Sequence, residues 1–232
     1  MTASEHFLIV ADGDRDFCTR EILASLAEKR CVVALDGAVN FLYQLNFLPH
    51  VALGDCDSLT AESREFLRAG RVPLLRSSCQ NTTDLEKGLL HAAENAAKST
   101  VVINALGGRQ DHALGNVFFL RKYFRRVPEL SLLTKSNRLL CREDCSEIFS
   151  VPSGSPCGFF GFPRASVTSR GLLYEMNNYP LEIGASESVA NASIGKTFNL
   201  QIRGTCLLAL PWDNTSFTPF DDCCRVQTEV FG

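Results

Sequence analysis

Acidic side chains follow four short apolar runs of this sequence. The segments are Asp12-Gly13-Asp14, Asp36-Gly37, Gly54-Asp55-Cys56-Asp57-Ser58 and Gly107-Gly108-Arg109-Gln110-Asp111-His112. If the runs are parallel strands, their carboxyl ends share one edge of a sheet, where ligands bind in open α/β sheets. Carboxylates at one edge repel each other and favour a bound cation. Oxygen ligands without a matching set of histidines and cysteines favour Mg²⁺, which commonly binds phosphate oxygens as well.

Among these segments, Asp55 and Asp57 give the most specific indication of a metal site. In an extended segment the two side chains lie on one face, so both can reach a single metal ion directly or through water. The Asp-x-Asp-Ser pattern is also typical of a turn or of a helix cap. The acidic residues that follow the other apolar runs favour the metal site.

Residues 80–87, Gln-Asn-Thr-Thr-Asp-Leu-Glu-Lys, are predicted to begin a helix. The free N–H groups and the dipole of a helix N-terminus attract an anion. A capping role for Thr82 or Thr83 explains the same pattern, with Asp84 complementing the dipole. Capping does not explain Lys87, which could reach a phosphate or pair with a nearby aspartate.

Gly107-Gly108-Arg109 suits a phosphate-binding loop. Glycines let the backbone approach a ligand closely, and arginine can bind two phosphate oxygens at once. Neither the P-loop pattern GxxxxGK[ST] nor the dinucleotide pattern GxGxxG is present, which argues against a P-loop kinase and a standard NAD enzyme. His112 could act as a base or serve as a structural partner of a neighbouring aspartate.

The elements that would position these residues change in kind near residue 140. We predict strands at 7–11, 31–35, 51–53, 72–75, 101–105 and 130–133, and helices at 16–29, 40–48, 63–69, 84–98 and 111–123. Alternating strands and helices predict a mostly parallel sheet flanked by helices over residues 1–140. Residues 141–232 hold six of the nine prolines, with short apolar runs such as 166–168, 198–202 and 206–210. We therefore expect an all-β sandwich as a second, C-terminal domain over residues 141–232.

Composition excludes several functional classes. The chain has 232 residues, 45% of them hydrophobic, and a formal net charge of −3, so no basic excess supports binding to nucleic acid or to an anionic membrane. No apolar run approaches the ~18 residues of a membrane span. The first residues lack the basic segment of a signal peptide, so we expect a cytoplasmic protein. Its ten cysteines are then expected to stay reduced, most of them as small buried hydrophobic residues.

Four segments taken together resemble the thiamine pyrophosphokinase (thiamine diphosphokinase) family over about residues 7–140. They are Ala34-Leu35-Asp36-Gly37-Ala38, Leu48-Pro49-His50-x3-Gly54-Asp55-Cys56-Asp57-Ser58-Leu59, Thr83-Asp84-x2-Lys87-x-Leu89 and Gly107-Gly108-Arg109-x-Asp111-His112-x3-Asn116. Two further stretches resemble the family more loosely, Thr168-Ser169-Arg170-Gly171-Leu172-x-Tyr174 and Ser188-Val189-Ala190-Asn191. Each motif is weak alone, whereas their shared order and spacing are specific.

The resemblance implies an activity and a homodimer whose acceptor sites lie at the subunit interface. The hydroxyethyl oxygen of thiamine would attack the β-phosphorus of ATP, a diphosphate group would move as a unit, and AMP would leave. It implies Mg²⁺ at Asp55, Asp57 and Asp84, with Arg109 and Lys87 on phosphate oxygens. Asp111 would orient or deprotonate the attacking hydroxyl. The remaining assignments are to the nucleotide site (Asp36, Gly37, Gln80, Thr83, Gly107, Gly108 and His112) and to the thiamine pocket (Ser188 and Asn191, from the partner subunit).

Two other readings stay open at this point. A diphosphokinase for another heterocyclic alcohol, such as a hydroxymethylpterin, would use the same ATP and Mg²⁺ site. A sensor of nucleotide or thiamine diphosphate could also be built on the same scaffold without catalysis. The complete set of Asp55, Asp57, Asp84 and Arg109 argues against the sensor, which has no need of it.

Overall fold

The computed structural model describes residues 5–76 and 81–212. The chain divides into two compact units between Lys135 and Ser136. The second unit begins slightly before the predicted boundary at residue 140, because its first strand, Asn137–Ser150, already pairs at Leu140 with Leu208 of the same unit. The strand that spans residue 140 therefore belongs to the second unit throughout its length.

The first unit alternates strands and helices, and its sheet is parallel, as predicted. Its elements are β1 His6–Val10, α1 Arg20–Ala27, β2 Cys31–Leu35, α2 Ala38–Gln44, β3 Val51–Gly54, α3 Ala61–Ala69, β4 Leu74–Arg76, α4 Asp84–Glu94, β5 Ser99–Ile103, α5 Gln110–Tyr123 and β6 Leu130–Leu133. The strands lie in the order β6-β5-β1-β2-β3-β4, and the pairs within this order are parallel.

Burial explains why the central strands read as continuous apolar runs. Leu8, Ile9 and Val10 of β1 are fully buried, and so are Val32 to Ala34 of β2, because helices cover both faces of a parallel sheet. Threonines cap three of the helices, and each accepts a hydrogen bond from a backbone N–H of the first turn: Thr19 for α1, Thr60 for α3 and Thr83 for α4.

The strand order reverses direction between β1 and β5. Strands β2, β3 and β4 follow one another on one side of β1, whereas β5, which comes after α4 in the chain, lies on the other side of β1. The backbone N–H of Gly13 donates to the carbonyl of Asn104 at 2.6 Å, which joins the segments that leave these two strands. A reversal of this kind opens a crevice at the carboxyl ends of the strands, and ligands of α/β proteins bind there.

The second unit is antiparallel. Its strands are β7 Asn137–Ser150, β8 Pro156–Arg170, β9 Tyr179–Glu182, β10 Glu187–Ala192 and β11 Thr197–Pro211, in the order β10-β8-β11-β7 with β9 also paired to β8. The expected C-terminal β region is confirmed, although the short runs at 198–202 and 206–210 belong to one strand. A shift of register near Gly204, whose φ is +79°, interrupts that strand. Residues of both halves of β8 and β11, such as Phe159, Val167, Leu200 and Leu208, share one apolar core.

The helices of the described residues show no membrane span, since none of them is both long and apolar enough to cross a bilayer.

Candidate functional site

A cavity of about 640 Å³ opens at the carboxyl edge of the parallel sheet. Its size is within the range of pockets that bind small molecules. Most of the residues predicted for the metal and nucleotide sites line it: Asp36, Asp55, Thr83, Asp84, Lys87, Gly107, Gly108, Arg109 and His112. Residues from the ends of β1, β2, β3 and β5 and from the beginnings of α4 and α5 thus meet in one place.

Three carboxylates come together beside this cavity. Single oxygen atoms of Asp36, Asp55 and Asp57 all lie within 4.8 Å of one another. The charge of Asp55, together with a hydrogen bond to it, raises the pKa of Asp57 above its ordinary value. A divalent cation would relieve this repulsion, and oxygen atoms at this spacing suit Mg²⁺. The chemistry of the three donors therefore fits a hard metal ion.

Asp36 is held in place by the loop that carries the other two carboxylates. Its side chain accepts hydrogen bonds from the backbone N–H of Cys56 at 3.1 Å and from the Ser58 hydroxyl at 2.7 Å. The backbone of Asp36 is left-handed, with φ +40°. Cys56 itself is buried, and burial raises the pKa of its thiol, with the Asp36 charge acting in the same direction.

Asp84 lies in the cavity wall but outside the group of three carboxylates. It begins α4, and its Oδ1 accepts a hydrogen bond from Lys87 Nζ at 2.9 Å. Thr83 caps the same helix through the N–H of Glu86. Of the roles considered from the sequence, capping for Thr83 and pairing with an aspartate for Lys87 are thus both seen. The assignment of Asp84 to the metal stays a prediction.

Arg109 and Asp111 form a two-point ion pair at the start of α5. Arg109 Nε donates to one carboxylate oxygen of Asp111 at 3.2 Å, and a terminal nitrogen donates to the other at 2.6 Å. This contact lowers the pKa of Asp111 to about 2. Asp111 in this arrangement is a weak base, since a proton acceptor works best with a pKa near the operating pH.

Two glycines near the cavity are in close contact with neighbouring aspartates. A Cβ atom on Gly37 would lie 2.2 Å from a carboxylate oxygen of Asp12, and one on Gly107 would lie 2.5 Å from the Cβ of Asp14. Gly107 also has φ +85°, which side-chain-bearing residues rarely adopt. These positions let the segments after β1, β2 and β5 approach one another.

The remaining predicted residues belong to the second unit or fall outside the described residues. Gln80 falls in the segment that is not described. Asn191, in β10, is buried, and its amide both donates to the carbonyl of Tyr174 at 2.8 Å and accepts from the N–H of Tyr174 at 3.1 Å. Ser188 Oγ lies 3.3 Å from the same amide. Both side chains therefore contribute to holding the loop around Tyr174.

Some cavity residues were given no individual role from the sequence. Asp12, Asn104 and Asn116 line the cavity, and Asn116 donates to the carbonyl of Ala105 at 2.6 Å. Asp12 belongs to one of the four acidic segments that the sequence placed at this edge, and Asn116 ends one of the family-like segments, so its position could have suggested it. Asn104 could not be found in this way, because the predicted strand continued past it to residue 105.

Comparisons with known proteins show which sequences and folds this chain is similar to. Residues 22–132 match the sequence model described as the catalytic domain of thiamin pyrophosphokinase. Over these residues the chain is similar to the thiamine pyrophosphokinase family. A thiamine pyrophosphokinase of Oryza sativa subsp. japonica is 31% identical over 167 residues, which cover 62% of this chain and 58% of the relative. One from Arabidopsis thaliana is 32% identical over 160 residues, again 62% and 58% of the two chains.

The chain therefore spans less than two thirds of the length of these plant thiamine pyrophosphokinases. A relative in Bacillus subtilis, at 24% identity, is matched over 88% of its length and 80% of this chain. Solved structures of the family share the fold. The thiamine pyrophosphokinase of Bacillus subtilis superimposes with a TM-score of 0.79 over 90% of this chain and 99% of its own, at 22% identity. The yeast enzyme gives 0.78 over 93% and 89%, at 16% identity.

Proposed function

We propose that this protein transfers a diphosphate group from ATP to the hydroxyethyl oxygen of thiamine. That oxygen attacks the β-phosphorus of ATP, the bond from the β-phosphorus to the oxygen bridging to the α-phosphate breaks, and AMP leaves. The hydroxyl proton is released, so the products are thiamine diphosphate, AMP and a proton. The observation that carries the proposal is a cavity lined by Lys87, Arg109 and two carboxylates, Asp36 and Asp55, with the carboxylate of Asp57 close to both.

Mg²⁺ is the metal that suits these carboxylates. Asp36, Asp55 and Asp57 offer oxygen atoms close enough to share one ion, and Asp84 lies on the same cavity. When bound, Mg²⁺ would neutralise charge on the phosphate oxygens as it develops in the transfer. Asp55 and Asp57 supply the negative charge that holds the ion, while the hydrogen bonds to Asp36 keep that carboxylate turned towards them.

Arg109 and Lys87 are the phosphate ligands in this proposal. Both are ion-paired with neighbouring aspartates, Arg109 with Asp111 and Lys87 with Asp84. Phosphate oxygens would compete for these cations, and a guanidinium binds two oxygens in fixed geometry. Gly107 and Gly108 allow the backbone to approach the same phosphates, and Asp36, Gly37, Thr83 and His112 shape the nucleotide site.

Asp111 would then be free to serve the acceptor. When Arg109 turns to the phosphate, the pKa of Asp111 rises from about 2 towards its ordinary value. The carboxylate can accept a hydrogen bond from the thiamine hydroxyl and orient it towards phosphorus. Positioning and charge neutralisation supply most of the rate in such transfers, so a strong base is not needed.

The acceptor site is proposed to lie between two subunits of a homodimer. Ser188 and Asn191 adjoin the loop that carries Leu173 and Tyr174, whose side chains are 57% and 62% exposed. Val189, which follows Ser188 in the sequence, is 66% exposed. Apolar side chains exposed together suggest a surface covered by another chain. A cytoplasmic location is proposed as well, supported by the thiols of Cys18, Cys56 and Cys206, which form no disulfide within the described residues.

Incubation with ATP, Mg²⁺ and thiamine tests the proposal. We expect equal amounts of AMP and thiamine diphosphate, measured by chromatography, and no product in a parallel sample with a hydroxymethylpterin. Product with the pterin alone would assign another acceptor to the same chemistry. Nucleotide binding without AMP release in either sample would make the protein a sensor.

A further inference from the structure

The loop that carries Asp55 and Asp57 is fastened by two side chains from outside it. This loop, residues 54–60, leads from β3 to α3. Asn40, in the first turn of α2, donates from its amide nitrogen to the carbonyl of Ser58 at 3.0 Å. The amide oxygen of the same side chain accepts from the N–H of Thr60 at 3.1 Å. One half-buried amide thus holds the loop on both sides of Leu59.

Arg64 fastens the same loop from its other side. It extends from α3, and its Nε donates to the carbonyl of Leu59 at 3.3 Å. A terminal nitrogen of its guanidinium donates to the carbonyl of Cys56. The carbonyls of Cys56, Ser58 and Leu59 are therefore all bound by side chains from the two flanking helices.

These contacts oppose two forces that would open the loop. The carboxylates of Asp36, Asp55 and Asp57 carry like charges and lie close together, so they repel one another. Cys56, between the last two, has φ +64°, a left-handed conformation that costs energy for any residue other than glycine. Without the side chains of α2 and α3, the loop would relax and its carboxylates would separate.

We infer that Asn40 is a positioning residue that sets the affinity of the carboxylates for a divalent cation without touching the ion. This inference rests on the metal site of the proposed function. The backbone of residues 58–60 fixes where the loop ends, and the spacing of Asp55 and Asp57 follows from it. Without the Asn40 amide, Asp55 and Asp57 would still be present, but the distance between their carboxylates would be less fixed. Residues that orient metal ligands commonly change metal affinity by about 10–100-fold.

The test measures how tightly the full chain binds Mn²⁺, a spectroscopic substitute for Mg²⁺, without nucleotide or thiamine. Free Mn²⁺ is followed by electron paramagnetic resonance in titrations of wild type, Asn40→Ala and Asp55→Asn. The matched control is Asn95→Ala, because Asn95 follows the last residue of α4 and, among the described residues, its side chain bonds to the carbonyl and ring of His91 in that helix. We expect about tenfold weaker Mn²⁺ binding for Asn40→Ala and an unchanged affinity for Asn95→Ala.

Asn40→Asp separates positioning from simple electrostatics and protects the test against misfolding. It has the same size and keeps the acceptor for Thr60, but it cannot donate to Ser58. An added negative charge alone would tighten cation binding, whereas a loosened loop weakens it. Weaker Mn²⁺ binding by Asn40→Asp, with thermal unfolding of the metal-free protein close to that of Asn95→Ala, supports the inference.

Mn²⁺ affinities of both Asn40 variants within twofold of wild type would overturn it, and so would tighter binding by Asn40→Asp. The inference would also be overturned if wild type bound no Mn²⁺, or if Asp55→Asn bound Mn²⁺ as tightly as wild type. Failure of the proposed function is distinguishable, because the titration needs no turnover. A protein that binds Mn²⁺ through Asp55 and depends on Asn40, yet forms no thiamine diphosphate, would retain this inference and lose the proposed activity.

Discussion

At the scale of single residues, Asp36 combines two roles in one carboxylate. It accepts hydrogen bonds from the N–H of Cys56 and the hydroxyl of Ser58. One of its oxygens also lies within 4.8 Å of oxygens of Asp55 and Asp57, close enough for all three to bind one metal ion. Each of its two oxygens accepts one of these hydrogen bonds, so each keeps a lone pair that could bind a cation. The metal ligands and the loop that carries them are thus tied to the end of β2.

Asp57→Asn should keep the fold and reduce diphosphate transfer at least about a hundredfold, because charge stabilisation of a transition state contributes roughly 3 kcal/mol or more. The substitution is nearly isosteric and removes one charge from the proposed metal site. Initial rates at saturating ATP and thiamine measure the loss, with thermal unfolding as the control for folding. Activity within tenfold of wild type would place the metal elsewhere.

Arg109→Lys should also be costly, although it conserves charge. Arg109 now spans both oxygens of Asp111, and a guanidinium would bind two phosphate oxygens in the same manner, whereas an ammonium is a point charge. We expect a higher KM for ATP or a lower kcat, with little change in the KM for thiamine. A variant that loses only thiamine affinity would contradict the assignment of Arg109 to the nucleotide.

At the scale of elements, a buried hydrogen bond connects the two helices that begin at the cavity. Tyr123, near the end of α5, donates from its hydroxyl to Glu86 of α4 at 2.6 Å, and Lys122 binds the same carboxylate. Burial, followed by the contact with Glu86, raises the pKa of Tyr123 to about 12. Burial also raises the pKa of Glu86, but the hydrogen bonds from Lys122 and Tyr123 outweigh it and the net pKa is lowered.

The raised pKa of Tyr123 predicts a stability change at alkaline pH. A group whose folded pKa lies above its unfolded value of 10.0 contributes stability that is complete below pH 10 and is lost as the pH rises through about 12. Tyr123→Phe should lower the free energy of unfolding by about 2 kcal/mol at neutral pH. It should also remove this alkaline step in denaturant unfolding curves.

Tyr43→Phe is the control for this prediction, because the Tyr43 ring is 41% exposed and packs edge-on against Phe66. It should leave both quantities nearly unchanged. Equal losses in the two variants would mean that the hydrogen bond to Glu86 contributes nothing beyond a generic tyrosine hydroxyl.

Local patterns allowed most of the first unit to be predicted, but not where its helices end. The bounds of β2 and β6 agree with the apolar runs that predicted them. The helix predicted to reach residue 98 ends at Glu94, because Asn95 caps it and Ala96 adopts a left-handed φ of +53°. The predicted helix start at 16 lies before the true one, because Thr19 caps α1 at Arg20. Helix caps depend on the backbone conformation of single residues, which the spacing of apolar residues does not predict.

The residue types of the site could be predicted from the sequence, but which of its carboxylates come close together could not. Strand ends identified the cavity edge, since parallel strands bring their carboxyl ends together. The close approach of Asp36 to Asp55 and Asp57 depends on hydrogen bonds across 20 and 22 positions of the sequence. Such contacts arise from the neighbouring positions of β2 and β3 in the sheet, which residue spacing along the chain does not contain.

At the scale of the whole molecule, shared active sites would make activity a property of two chains. A mixture of Asp57→Asn with Asn191→Ala should form hybrid dimers in which one composite site carries both lesions and the other carries none. We expect activity to return in part after subunit exchange. Asn191→Ala also removes both bonds to the Tyr174 backbone, so intact dimers are first verified by sedimentation.

Verified hybrids that stay as inactive as both parents would argue against sites shared between subunits. The comparison requires that each parent be nearly inactive alone. Each parent is therefore assayed at thiamine concentrations near and far above KM, since acceptor contacts can change KM more than kcat.

The central claim is that one diphosphate group moves intact at the carboxylate edge of the sheet. ATP labelled with ³²P in its β-phosphoryl group, incubated with the protein, Mg²⁺ and thiamine, tests it most directly. The account predicts that the label appears in thiamine diphosphate, that the AMP is unlabelled, that no ADP forms, and that Asp57→Asn abolishes the transfer. Label in ADP, or thiamine monophosphate as the product, would contradict it.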